Sequence, residues 1–343
     1  MNTFHRVLQR FALASGLACL LALSAPVRAQ QDVKLVLDWS YQGNHAFFTL
    51  ADDRGYYAAD GLRVKIDRGF GSGDTIAKVA GGTYDFGFAD TSLLVQFNAK
   101  NPDNKVLCVM MLFDGTLNAV VTKTSSGIRH PKDLEGRKVA APPADNSRLL
   151  FPIFAHANGI DEAKINWQSV QPNVRDTLMF KGEVDAVASV YTSTILSLES
   201  LGMKRSELTV LRYSELGADL YGSGVIVSEK FLNAHPDWVR GFLRATARGT
   251  KESIADPKAG IASVLKRDNL LTESVETSRL EMIRDLSMAR PAVKANGLSY
   301  VDPARLESTI KFIAQSMGVA SPPAARDVYR GEFLPPASER MIF

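Results

Sequence analysis

From Val33 onward, short apolar runs bounded by polar turns alternate with segments of helical spacing. Lys34–Leu37 reads as a strand and His45–Arg54 as a helix. Leu62–Ile66 alternates apolar and polar positions as a half-buried strand does, and Asp74–Ala80 follows as a helix behind the turn Gly71-Ser72-Gly73. Tyr84–Phe88, Thr91–Lys100 and Lys105–Leu112 continue the series as strand, helix and apolar strand. Alternation of this kind predicts a mostly parallel sheet covered by helices on both faces.

The pattern then repeats. Val120–Thr122 opens a second unit, with a helical turn at Pro131–Gly136 and a strand at Arg137–Ala140. A helix over Asn146–Asn158, a strand over Asn166–Val170 and a helix over Val174–Lys181 follow. Val184–Ser189 as strand and Thr192–Leu201 as helix complete the unit. Beyond Tyr221-Gly222-Ser223-Gly224 one more strand, Val225–Ser228, precedes an almost purely helical stretch. Its helices are predicted at 237–253, where Pro236 supplies the start, and at 259–266, 276–289 and 303–317. Residues 318–343 are rich in Pro and Ala and predict a segment that wraps a surface.

The first 29 residues stand apart. Arg6 and Arg10 precede an apolar run from Phe11 to Ala25, and Val27-Arg28-Ala29 offers small or medium residues where a signal peptidase cuts. That layout predicts a cleavable export signal and a periplasmic mature protein. The run, of about 15 residues, is short of the ~20 that a spanning helix needs. Cys19 lacks the large aliphatic residue that a lipoprotein signal places ahead of it, Gly16 standing there instead.

Setting the signal aside changes the charge picture. The chain carries 40 basic and 37 acidic residues. The signal's three arginines, with no acid beside them, leave 37 of each. A balanced surface predicts no nucleic-acid partner and no anionic-membrane partner. The remaining 314 residues are enough for two domains. Cys108 is then the single cysteine, in the apolar run Val106–Met110, which leaves no internal disulfide and no cysteine metal site. Five histidines show no metal spacing, and no G-x-S-x-G, H-E-x-x-H or P-loop appears, so neither metal nor cofactor is expected.

In open α/β sheets ligands sit beyond the carboxyl ends of strands, and this rule nominates candidates. After the first strand, Trp39 and Tyr41 are candidates for stacking on a flat ligand and Asp38 for accepting its N–H groups; the competing reading is a helix cap and core packing. His45 either belongs to the site or makes a structural hydrogen bond. Ser72, within Gly71-Ser72-Gly73-Asp74, belongs to a turn whose N–H groups suit an anionic or carbonyl oxygen, or simply cap the helix. Asp90 and Thr91 end the third strand. Asn146, Ser147 and Arg148 offer amide, hydroxyl and guanidinium from the second unit as an oxyanion clamp, against a solvated cap. Tyr191 is the candidate for the opposite wall, and Asp219 and Tyr221 sit just before the last strand.

Several segments resemble bacterial solute-binding proteins of the thiamine-pyrimidine and sulfonate/nitrate type. They are Leu37-Asp38-Trp39, Arg54-Gly55-Tyr56-Tyr57, Gly61–Val64, Gly81–Gly87, Ile128–Val139 and Val227–Asp237. The resemblance implies an α/β type-2 periplasmic-binding fold: two Rossmann-like lobes joined by a hinge around a ligand cleft. It implies a discontinuous first lobe, residues 30–121 and 225–343, and a second lobe of 122–224. It further implies a monomeric importer component that takes a small-molecule ligand, a planar heterocycle or a small carboxylate or sulfonate, to ABC permease and ATPase subunits at the inner membrane. A sensor docking on a membrane receptor has the same cleft. Pyrimidine-binding members commonly read Asp-Trp-x-Pro-Asn where this chain has Ser40-Tyr41-Gln42 after Asp38-Trp39. The pyrimidine synthases of the same fold carry a pyridoxal-phosphate lysine, a histidine four residues on and a cysteine cluster. Ala89, Leu93 and Gly217–Tyr221 occupy those places here, so no enzyme is expected.

Overall fold

The computed structural model describes residues 30–343; the expected export signal lies outside the described residues. Among the described residues ten strands form two five-stranded sheets. The first contains β1 (Gln31–Val36), β2 (Leu62–Asp67), β3 (Phe86–Asp90), β4 (Val106–Met111) and β10 (Ser223–Ser228), in the order β2-β1-β3-β10-β4. The second contains β5 (Asn118–Lys123), β6 (Lys138–Ala141), β7 (Asn166–Ser169), β8 (Ala186–Val190) and β9 (Leu208–Arg212), in the order β7-β6-β8-β5-β9. The two orders are equivalent, and in each the fourth place is held by the strand that arrives from the other sheet.

That strand explains the departure from the expected parallel sheets. β10 runs antiparallel to both β3 and β4, and β5 antiparallel to both β8 and β9. A strand arriving from the other lobe with no crossover helix to turn it enters in the opposite sense. The sheets are therefore mixed. β5 lies wholly in the second sheet, pairing there from Asn118 onward. β9, an edge strand buried only at Leu208 and Leu211, has no counterpart among the sequence-predicted elements.

β3 and β4 are buried along their whole length. Phe86 stacks on Phe242 of the long helix Pro236–Ala255 at 3.9 Å between centroids, and Phe88 meets Phe48 and Phe113 edge-on. Each such buried aromatic contributes on the order of 1.5–3 kcal/mol. The helix expected over 146–158 is interrupted at Leu150, because Pro152 has no N–H to donate back to Arg148. The helix expected over 276–289 is α-helical from Glu273 to Ile283 and then widens into a π turn over Arg284–Met288. Near the end of the chain, Tyr329 bridges to Cys108 on the β4 edge. No helix among the described residues is long and apolar enough to cross a membrane.

Candidate functional site

Between the two sheets lies a cleft with about 580 Å³ of empty space, its mouth included. The carboxyl ends of β1 and β3 bring Asp38, Trp39 and Asp90 to it; beyond β4 comes Phe113. From the other side, the loop after β6 brings Asp145 and Asn146, and the segment after β8 brings Thr192 and Ser193. Because β5 and β10 run the other way, their amino ends also reach the cleft, as Asn118 and Ser223.

Asp38 is oriented by His45. Gln42 N–H donates to His45 Nδ1 (3.0 Å), which leaves the ring proton on Nε2 to be donated to Asp38 Oδ1 (3.0 Å). His45 is fully buried, with both ring nitrogens engaged, so it positions Asp38 and does not itself line the cleft.

Asp90 is the centre of an interlobe network. It is 1% exposed, and its Oδ2 accepts from the side-chain amides of Asn118 and Asn146, both at 3.2 Å. Ser92 N–H binds Oδ1 at 3.0 Å. Asn146 also donates to Asn118 Oδ1 (2.8 Å), which Ser147 Oγ approaches at 3.1 Å. Burial pushes the Asp90 carboxyl up to about 6, although the amide and Ser92 hydrogen bonds pull it down.

Arg175, at the start of the helix Arg175–Lys181, is 2% exposed. Its NH1 meets Asp145 Oδ2 at 3.2 Å, Nε meets Asp176 Oδ1 at 2.9 Å and NH2 donates to Thr194 Oγ1 at 2.9 Å. Burial alone would lower this guanidinium, but Asp176 and Asp145 outweigh it and hold it above its usual value. Its face lies 5.5 Å from the Trp39 ring across the cleft. Sequence reasoning missed Arg175, which after Pro172-Asn173-Val174 reads as an ordinary surface charge. Asn44 and Thr192 were missed as well. Both line the cleft, and Asn44 Oδ1 and Thr192 Oγ1 are buried with no hydrogen-bond partner.

The lobes also touch directly. Ser193 Oγ donates to Gln42 Oε1 (3.0 Å), and Arg279, paired with Glu276, donates to the carbonyl of Thr192 (3.1 Å). Gly73 N–H donates to the carbonyl of Ala144 (3.1 Å). A backbone carbonyl of the opposite lobe, not a ligand group, therefore stands against the turn Gly71-Ser72-Gly73.

Of the thirteen residues nominated from sequence, Asp38, Trp39, Asp90 and Asn146 line the cleft. Ser72, Thr91 and Ser147 lie behind it: Ser72 Oγ accepts from Asp90 N–H, Thr91 Oγ1 donates to Gly222 O, and Ser147 Oγ supports Asn118. The other residues point elsewhere. Tyr41 spends its hydroxyl on Ile66 O (2.7 Å). Arg148 turns away to Ala141 O and Ser169 and lies over Trp167, so no oxyanion clamp forms there. Tyr191 packs on the second sheet beneath Arg212. Asp219 pairs with Arg290, and Tyr221 lies under Arg305.

Comparison with known proteins places this geometry. The sequence profile of the family described as NMT1/THI5 like matches residues 42–260. The riboflavin-binding protein RibY of Chloroflexus aurantiacus is 24% identical over 325 residues, 90% of this chain and 87% of that protein. The 4-amino-5-hydroxymethyl-2-methylpyrimidine phosphate synthase of Legionella pneumophila is 24% identical over 226 residues, 66% of this chain and 70% of that one. Among solved structures, the alkanesulfonate-binding protein SsuA from Xanthomonas axonopodis pv. citri, bound to MOPS, superposes with a TM-score of 0.66 at 14% identity, covering 88% of this chain and 99% of that one. The fold is that of the two-lobed periplasmic binding proteins.

Proposed function

The chain belongs to the NMT1/THI5-like family, and from that premise we propose that it is the solute-binding component of an ABC importer. In this reading it is exported, captures a small organic molecule between its lobes and delivers it to a membrane permease driven by an ATPase. The observation that carries it is a cleft whose polar groups come from both lobes: Asp38, Asn44 and Asp90 from one, Asn118, Asn146, Arg175 and Thr192 from the other. Such an arrangement binds ligand only when the lobes meet, so ligand shifts the molecule from open to closed. The hinge we assign to the two crossings, Asp114–Leu117 and Leu220–Gly222, with lobes near the boundaries expected from sequence.

The synthase names among the relatives favour a second reading, an enzyme of pyrimidine synthesis. Ala89 and Leu93 weigh against it, since they are buried apolar side chains where that resemblance calls for an amine and an imidazole.

The test is small-angle scattering of the mature chain, stripped of bound solute and then titrated with the solutes that a thermal-shift screen selects. A saturating solute is expected to reduce the scattering radius and to be recovered unchanged. An unchanged radius at saturation refutes capture by closure, and chemical conversion of the solute returns the enzyme reading.

A further inference from the structure

We propose that the cleft selects a ligand that is neutral or cationic and rich in N–H donors, and that it turns away carboxylates and sulfonates. The inference rests on the solute-binding reading and adds the ligand's chemical class. Both charge and hydrogen-bonding capacity point to it.

Three carboxylates line the cleft, those of Asp38, Asp90 and Asp145, against the single guanidinium of Arg175. That guanidinium is already spent: its edges serve Asp145, Asp176 and Thr194, and its face meets Trp39. An entering oxyanion would have to break a buried ion pair to reach it, which leaves a buried carboxylate uncompensated. Arg148, the cation that the sequence nominated for an oxyanion, faces away.

The unsatisfied capacity is of the opposite kind. Asp90 is buried with amides for neighbours and no cation among its hydrogen-bond partners. A buried carboxylate held only by neutral donors gains from a further donor or a positive charge. Asn44 Oδ1 is an acceptor with nothing to accept, and Thr192 Oγ1 is likewise without a partner. Both residues are more than nine-tenths buried and line the cleft. Phe113, Leu117 and Ile283 give the same cavity an apolar wall. The ligand that satisfies all of these is compact and partly apolar, with amino, amidino or ring N–H groups at its edge.

The experiment uses probes matched in size and opposed in charge: benzamidine and 4-aminopyrimidine against benzoate and benzenesulfonate. Each is titrated at millimolar concentration into the mature chain at neutral pH, with thermal shift and calorimetry as readouts. Benzamidine and 4-aminopyrimidine are expected to stabilise the protein and the two anions to leave it unchanged. Asp90→Asn is expected to weaken benzamidine by ~10-fold, the scale of a charge-assisted hydrogen bond. Benzamidine binding is also expected to strengthen as pH rises through about 6, where Asp90 ionises. The charged groups sharing the cleft with Asp90 are Asp38, Asp145 and Arg175. Equal or tighter binding of either anion overturns the proposal, as does silence from all four probes. Neither result touches the importer reading, which fails only if no solute closes the lobes.

Discussion

Asp90 shows what a buried binding residue costs the closed protein. Its carboxyl has a folded value of about 6 against an ordinary 3.8, so the folded chain holds that proton more tightly than the unfolded one. Between those values the folded state binds more protons, and stability therefore falls as pH rises from about 4 to 6. Two pH units of difference correspond to ~3 kcal/mol of strain carried above pH 6. Asp90→Asn removes the charge while keeping an oxygen in the Oδ2 place for both amides, its NH2 then standing opposite the Ser92 N–H. The variant is expected to melt ~2–6 °C higher than the parent at pH 7.5, with the gap closing below pH 4. A variant that melts lower at pH 7.5 would show that the carboxylate is favourably held. His45 does not line the cleft, yet its Nε2 proton fixes the direction in which Asp38 is presented.

At the scale of elements, the helix start at Ser72 comes close to the opposite lobe, where the proposed closure would press on it. Gly71 has φ +120°, which L side chains rarely adopt, and a Cβ there would lie 2.4 Å from the Ala144 carbonyl oxygen. Gly71→Ala is therefore expected to obstruct the Gly73–Ala144 hydrogen bond, leaving a larger scattering radius at saturating solute and a weaker affinity. A radius equal to that of the parent would separate this turn from closure. The same elements show what could be read from sequence. Strand-end reasoning reached Asp38, Trp39, Asp90 and Asn146 because apolar runs mark where strands stop. It named Tyr41 and Tyr191 as well, since a strand end does not reveal which way the next side chain turns. It missed Asn118 because only carboxyl ends were considered, and β5 enters its sheet reversed. Arg175 was invisible for a different reason: its partner Asp145 lies 30 residues away, a distance no local pattern records.

For the whole molecule, the two crossings are bound to each other and to the helical tail. Thr116 N–H donates to Leu220 O (2.8 Å) and Gly222 N–H to Phe113 O (2.9 Å), so the crossings form a paired ribbon. Ser287, in the π turn, donates to Gly115 O (2.6 Å), and Arg290 and Arg305 both reach Asp114. Burial raises the Asp114 carboxyl above its ordinary value, and the two arginines draw it partway back. The tail thus holds the two crossings that the proposed closure would bend. Arg305→Gln removes a partly buried partner of a buried charge and leaves Arg290 in place, which sets the loss at about 1–2 kcal/mol. It is expected to lower the melting temperature by a few degrees and to widen the scattering radius of the empty protein. Adding Asp114→Asn to it removes the charge left short of a partner and is expected to recover the stability without restoring the radius. If the second substitution lowers stability further, Asp114 serves the hinge through its own hydrogen bonds rather than through the arginines.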